Sequence, residues 1–261
     1  MDDHADAPGA REMPAVPPVT DPAVLEEVRA RRDEVPWRGA DAFGAALVYL
    51  LGGALLGVAL ATVGLLDPGS APPPLLDSLL LLGACAGWLA VVRAPSAVRR
   101  LAGPREPGRP VLRGVLLGVL VGVVWPFADT ALYELLTLAG VEFPPIQEHI
   151  REWLDEPATR AWVAVDIVLV TPLAEEALFR GLLFQGLVRR WGVRAAAVGS
   201  ALLFGLAHVE SLGADSVFMV ASTMLFGVAA AWLLWRYGTL LAPVAAHVAT
   251  NAIATAGLLA S

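Results

Sequence analysis

Thr171-Pro172-Leu173-Ala174-Glu175-Glu176-Ala177-Leu178-Phe179-Arg180-Gly181 sets two adjacent carboxylates and a guanidinium in the middle of an apolar run from Ala161 to Val188. Each such charge at the centre of a membrane helix costs roughly 2.5–3.5 kcal/mol on insertion scales. Charges placed there face an interior and find partners. On a helix, Glu176 and Arg180 stand four apart on one face and can pair, whereas Glu175 is turned about 100° from Glu176 and needs a different partner. The same three charges would also serve simply to lock helices together, so the surrounding sequence has to decide between a site and a brace.

Outward from this stretch the chain is apolar nearly throughout. It has 261 residues, 57% of them hydrophobic and 16% charged, with a mean hydropathy of +0.65, and the apolar residues fall in long runs. An all-α, polytopic membrane helix bundle of about seven transmembrane helices is the expected fold. All 18 basic residues are arginine, a composition that reads as the coding bias of a GC-rich source and suggests a bacterial cell membrane. The net charge of -7 is spread over polar segments and argues against nucleic acid as a partner, leaving the lipid bilayer as the surrounding medium. Cys85 is a lone thiol in an apolar run and reads as packing.

Residues 1–36 are acidic and rich in proline and alanine, which predicts a disordered cytoplasmic tail ahead of an integral membrane domain over 37–261. Spans are expected at about Phe43–Leu66 and Leu75–Val92, then at Val111–Leu138 with a kink at Pro126, separated by the breaker that begins at Asp67 and by a basic loop between Arg93 and Arg113. Glu142 to Glu156 predicts a helix lying in the interface, with Ile146, Ile150, Trp153 and Leu154 on one face. The fourth span, Ala161 to Val188, carries the opening motif; three more follow at about Ala195–Val209, Ser216–Trp235 and Leu240–Leu259. Arginines cluster before span one and in alternate connections, which predicts a cytoplasmic N terminus. Trp37, Trp88, Trp162, Trp191 and Trp235 fall near span ends, as an aromatic belt requires.

Polar residues recur in the later spans. Phe204 and His208 are four apart in span five, and His247 and Asn251 share a face of span seven. At 1.5 Å per residue from the cytoplasmic arginines, Glu175 and His208 each lie roughly 20 Å in, and His247 and Asn251 roughly 16–22 Å. One level can hold all four. Two chemistries then stand open. Glu175, His208 and His247 can ligate a divalent metal such as Zn²⁺, which acidifies a bound water. Without metal, Glu175 can take a proton from a water that His208 positions, while His247 and Asn251 stabilise the oxyanion. Either is attack of water on a carbonyl. Phe204 taken alone reads as core packing.

At these residues the sequence resembles the CPBP intramembrane proteases, which include the type II CAAX prenyl endopeptidases and the bacterial Abi proteins linked to bacteriocin processing and self-immunity. The family pattern stands here in order as Glu175-Glu176-x-x-x-Arg180, Phe204-x-x-x-His208 and His247-x-x-x-Asn251, within a motif-bearing part over 161–259. The resemblance implies a glutamate-dependent endopeptidase, with or without metal, whose cavity opens to the cytoplasm and whose substrate is a membrane-associated peptide or protein. It implies Glu175 as general base, His208 holding the water or a metal, His247 and Asn251 at the oxyanion, and Glu176 with Arg180 as the orienting pair. The competing class is a non-catalytic membrane scaffold, or a transporter using the buried charges as an ion relay. A transporter would more often show paired repeats, and the sequence shows none.

Overall fold

The computed structural model describes residues 35–65, 74–103, 110–141, 148–209 and 214–260. Among them every regular element is helical. The order is α1 (Gly39–Thr62), α2 (Pro74–Trp88) running into a π turn (Leu89–Arg93), α3 (Pro95–Arg100), α4 (Val111–Leu138), α5 (Glu148–Asp155), α6 (Arg160–Val165), α7 (Thr171–Glu176), α8 (Gln185–Leu206), α9 (Ala214–Tyr237) and α10 (Leu241–Ala260). Two wider π segments, Asp166–Val170 and Ala177–Phe184, join α6 to α7 and α7 to α8. The expected all-α membrane bundle is what the chain forms. The tail, as far as residue 34, and the breaker at Asp67 lie outside the described residues.

Among the described residues, five helices are long and apolar enough to cross a membrane: α1, α2 through Arg93, α4, α9 and α10. Each closely matches an expected span. Leu50, Leu55 and Val58 on α1 and Leu112 and Leu116 on α4 are exposed, a surface that suits lipid and would be a liability in water. The remaining two expected spans are helical but outside that set. The motif helix is cut into α and π pieces and carries charges. The helix after it is short, beginning beyond Gly192, whose φ of 73° and ψ of 170° break α8 at the expected basic connection. α5 occupies part of the expected interface helix; Leu154 is buried, and Arg160 caps its end by donating Nε–H to Leu154 O at 2.6 Å and Nη2–H to Asp155 O at 3.1 Å.

Small residues set the closest helix approach. Gly114, Gly118 and Gly122 lie buried along one face of α4. A Cβ on Gly118 would stand 2.2 Å from Ala242 O, and one on Gly122 2.0 Å from Ala246 O, so only glycine lets α4 lie against α10 backbone to backbone. Thr250 adds a bond from its hydroxyl to Gly122 O at 3.2 Å.

The start of α1 is tied to the motif helix and to α2. Asp41 accepts the Arg38 N–H at 2.7 Å, Trp88 Nε1–H at 3.0 Å, and Arg93 through Nε and Nη2 at 3.0 and 2.8 Å. Trp37 corrects the belt expectation. It is fully buried and donates Nε1–H to Leu182 O at 3.1 Å, inside the second π segment, whereas Trp162 and Trp191 are exposed.

Candidate active site

The site is assembled from three helices. The motif helix brings Glu175, Glu176 and Arg180, with Glu175 and Glu176 closing α7 just before the π segment Ala177–Phe184. The end of α8 brings Phe204 and His208, and α10 brings His247 and Asn251. π turns are rare and are enriched at functional sites.

Glu176 and Arg180 meet as the spacing predicts. Nη1 of Arg180 lies 3.0 Å from Glu176 Oε1, and the two side chains are 1% and 0% exposed. The contact is charge to charge: among the described residues, Glu176 Oε2 and both terminal nitrogens of Arg180 have no partner in hydrogen-bond geometry. The guanidinium instead lies over the Phe204 ring, 4.1 Å from Cζ to centroid. His247 joins the pair from α10, with Nδ1 3.1 Å from Glu176 Oε1. Because Glu176 is the anion of an ion pair, the hydrogen in that bond belongs to His247.

Phe204 does more than pack. Its ring meets His208 edge to face at 4.7 Å, His247 at 5.8 Å and Phe179 at 5.0 Å. One aromatic ring thus touches the cation and both imidazoles. Phe226 closes on His247 from α9, at 5.4 Å.

Glu175 faces the two histidines. Its Oε2 is 3.9 Å from His208 Nε2 and 3.7 Å from His247 Nε2, too far for direct hydrogen bonds, and it has no hydrogen-bond partner among the described residues. His208 bonds to Phe204 O at 2.8 Å through Nδ1. A carbonyl only accepts, so Nδ1 carries the hydrogen and a neutral His208 turns its Nε2 lone pair towards Glu175. Glu175 and His208 are 20% and 24% exposed against 7% for His247, so the carboxylate and one imidazole reach open space from a dry base.

Asn251 is one turn along α10 from His247 and donates Nδ2–H to the Ile167 carbonyl at 2.8 Å. Asp166 is buried beside it in the chain; Oδ2 accepts Thr171 Oγ1–H at 3.3 Å, and Thr171 is bonded to Ser78 of α2 at 2.9 Å. Neither Trp37 nor the glycine face of α4 was legible as support for the site, although the fourfold glycine spacing stands in the sequence.

Two imidazole nitrogens and a carboxylate oxygen are a zinc-type donor set. In a tetrahedral site with bonds of about 2.0–2.1 Å the donors stand about 3.3 Å apart. Here Glu175 is 3.7 and 3.9 Å from its neighbours, and no group of three His, Cys, Asp or Glu among the described residues is arranged to hold a metal ion. As placed, the residues do not fit the metal.

Apolar helices that hold an ion pair, a second carboxylate and two imidazoles define an integral membrane protein with a polar cluster inside its bundle. Residues 157–253 match the family described as Rce1-like, type II CAAX prenyl endopeptidase Rce1-like. This segment, which contains every motif residue from Glu175 to Asn251, is similar to the CAAX-type intramembrane proteases. No curated protein and no solved structure matches the chain.

Proposed function

We propose that this protein is an intramembrane endopeptidase that hydrolyses a peptide bond with a water activated by Glu175. The observation that carries the reading is the set of distances around Glu175 Oε2, 3.9 Å to His208 Nε2 and 3.7 Å to His247 Nε2. A water about 2.8 Å from both Glu175 and the His208 lone pair spans that gap and offers each acceptor one hydrogen. Its oxygen is then free to attack.

In the proposed reaction Glu175 takes one proton as the water oxygen bonds to the scissile carbonyl carbon. The carbonyl becomes an oxyanion. His247 offers an Nε2–H to that oxyanion when both of its ring nitrogens carry hydrogen. Collapse of the tetrahedral intermediate breaks the C–N bond, and the proton held by Glu175 goes to the leaving amine. The products are a carboxylic acid and an amine. No step runs through a metal.

The substrate is a peptide or protein tail that reaches the site from the membrane. A prenylated tail is the substrate that the family description names; the all-arginine composition points to a bacterial cell membrane, and to a membrane-associated peptide instead. The arginine distribution supports a cytoplasmic N terminus. The test is turnover of a quenched peptide library by the detergent-solubilised protein, with and without chelator, beside its metal content. Turnover that survives the chelator without stoichiometric metal supports the reading; about one zinc per chain, lost together with activity in His208→Ala and His247→Ala, overturns the metal-free mechanism.

A further inference from the structure

Between α6 and α7 the π register of the motif helix meets a proline at the position that would donate next. In the π register of Asp166–Val170 the Thr171 N–H bonds to Asp166 O, five residues back. The next carbonyl in that register belongs to Ile167, and its donor would be residue 172. Residue 172 is proline and has no N–H. A carbonyl left unpaired in a membrane interior is expensive, and here the donor comes from another helix: Asn251 Nδ2, at 2.8 Å.

We propose that Asn251 is a positioning residue, whose amide replaces the backbone donor that Pro172 withholds from Ile167 and so fixes the motif helix against α10. The inference rests on the reading of Glu175 as the base. α10 grips the motif helix twice with side chains four residues apart. His247 binds Glu176, immediately after Glu175, and Asn251 binds Ile167, two turns before it. The carboxylate is held between the two grips. Its distance to His247 Nε2 is therefore set by both.

The chemistry of the missing donor supplies the test. Pro172→Ala returns an N–H at position 172, directed along the helix at the Ile167 carbonyl, and makes the Asn251 amide redundant. Wild type, Asn251→Ala, Pro172→Ala and the double variant are compared as full-length, detergent-solubilised protein, by thermal unfolding and by kcat and KM on the quenched peptide library. Asn251→Ala is expected to lower kcat with little change in KM and to lower the unfolding temperature. Adding Pro172→Ala is expected to regain about tenfold in kcat and most of the lost unfolding temperature, a coupling of the size that residues sharing one hydrogen-bond network show. A double variant that unfolds like wild type yet is as inactive as Asn251→Ala would place Asn251 at the reacting atoms and overturn the inference. Additive losses of unfolding temperature would also overturn it. Glu175→Gln separates the two readings: if wild type cleaves nothing in the library, or Glu175→Gln cleaves as well as wild type, the proposed function fails, while the thermal cycle still decides whether Asn251 holds Ile167.

Discussion

His247 donates Nδ1–H to Glu176 Oε1 across 3.1 Å, joining α10 to the motif helix through two side chains that are both buried. The bond makes Glu176 the centre of a small circuit, since the same oxygen lies 3.0 Å from Arg180 Nη1. Burying the anion is tolerable only while both partners remain.

Arg180→Ala is therefore expected to destabilise the protein by about 3–5 kcal/mol, the usual consequence of leaving one member of a buried ion pair alone. Arg180→Lys is expected to recover only part of this, because an ammonium keeps the charge but loses the flat contact over Phe204, 4.1 Å from the ring centroid. Thermal unfolding in detergent would show the ordering. Wild-type stability in Arg180→Ala would mean that Glu176 does not depend on its partner.

Glu175 is built differently from Glu176, and its substitution separates chemistry from folding. It is 20% exposed and its Oε2 has no hydrogen-bond partner among the described residues, so Glu175→Gln removes little that holds the bundle together. Hydrolysis should fall by at least about 10²–10⁴-fold, the contribution of a positioned general base, with the unfolding temperature unchanged. His208→Ala should abolish turnover with the same intact fold. Full activity of either variant on a verified substrate would exclude the mechanism.

How much of this was legible in the sequence differs residue by residue. The Glu176–Arg180 pair follows from spacing alone, because partners four apart meet on any helix. The approach of Glu175, His208 and His247 follows from depth along three helices, a property of apolar runs and chain direction. The partner of Asn251 does not follow, although Pro172 visibly frees a carbonyl. An α register would free Val168 O; the π register moves the gap to Ile167, and π turns are chosen by tertiary packing that no local pattern announces. Trp37 was misplaced in the belt for a related reason. Position near a span end suits an interfacial indole, and only the fold shows that its N–H has a buried carbonyl, Leu182 O, within reach.

Phe204→Leu keeps apolar volume but removes the ring that touches Arg180, His208 and His247 together. Loss of the cation–π contact alone is worth about 0.5–2 kcal/mol. The larger consequence is expected in turnover, because both imidazoles lose the surface that sets their planes, whereas the charges of the site are untouched. A fall of kcat by about tenfold or more, beside a modest fall in unfolding temperature, is the expected pair of readings. Unchanged kcat would return Phe204 to simple core packing.

The glycine face of α4 predicts a failure far from the chemistry. A methyl on Gly122 would come within 2.0 Å of Ala246 O, a backbone atom that cannot move without shifting α10. α10 carries His247, so relief of that clash must move the imidazole away from Glu175 or separate the helices. Gly122→Ala should cost about 1–3 kcal/mol by overpacking, and the folded fraction should turn over more slowly than wild type. Gly52→Ala on α1 is the control, because a Cβ there meets nothing within 4 Å among the described residues. It should leave unfolding and turnover as they are. If Gly122→Ala behaved like the control in both measurements, α4 and α10 would not be in the backbone contact on which the placing of His247 depends.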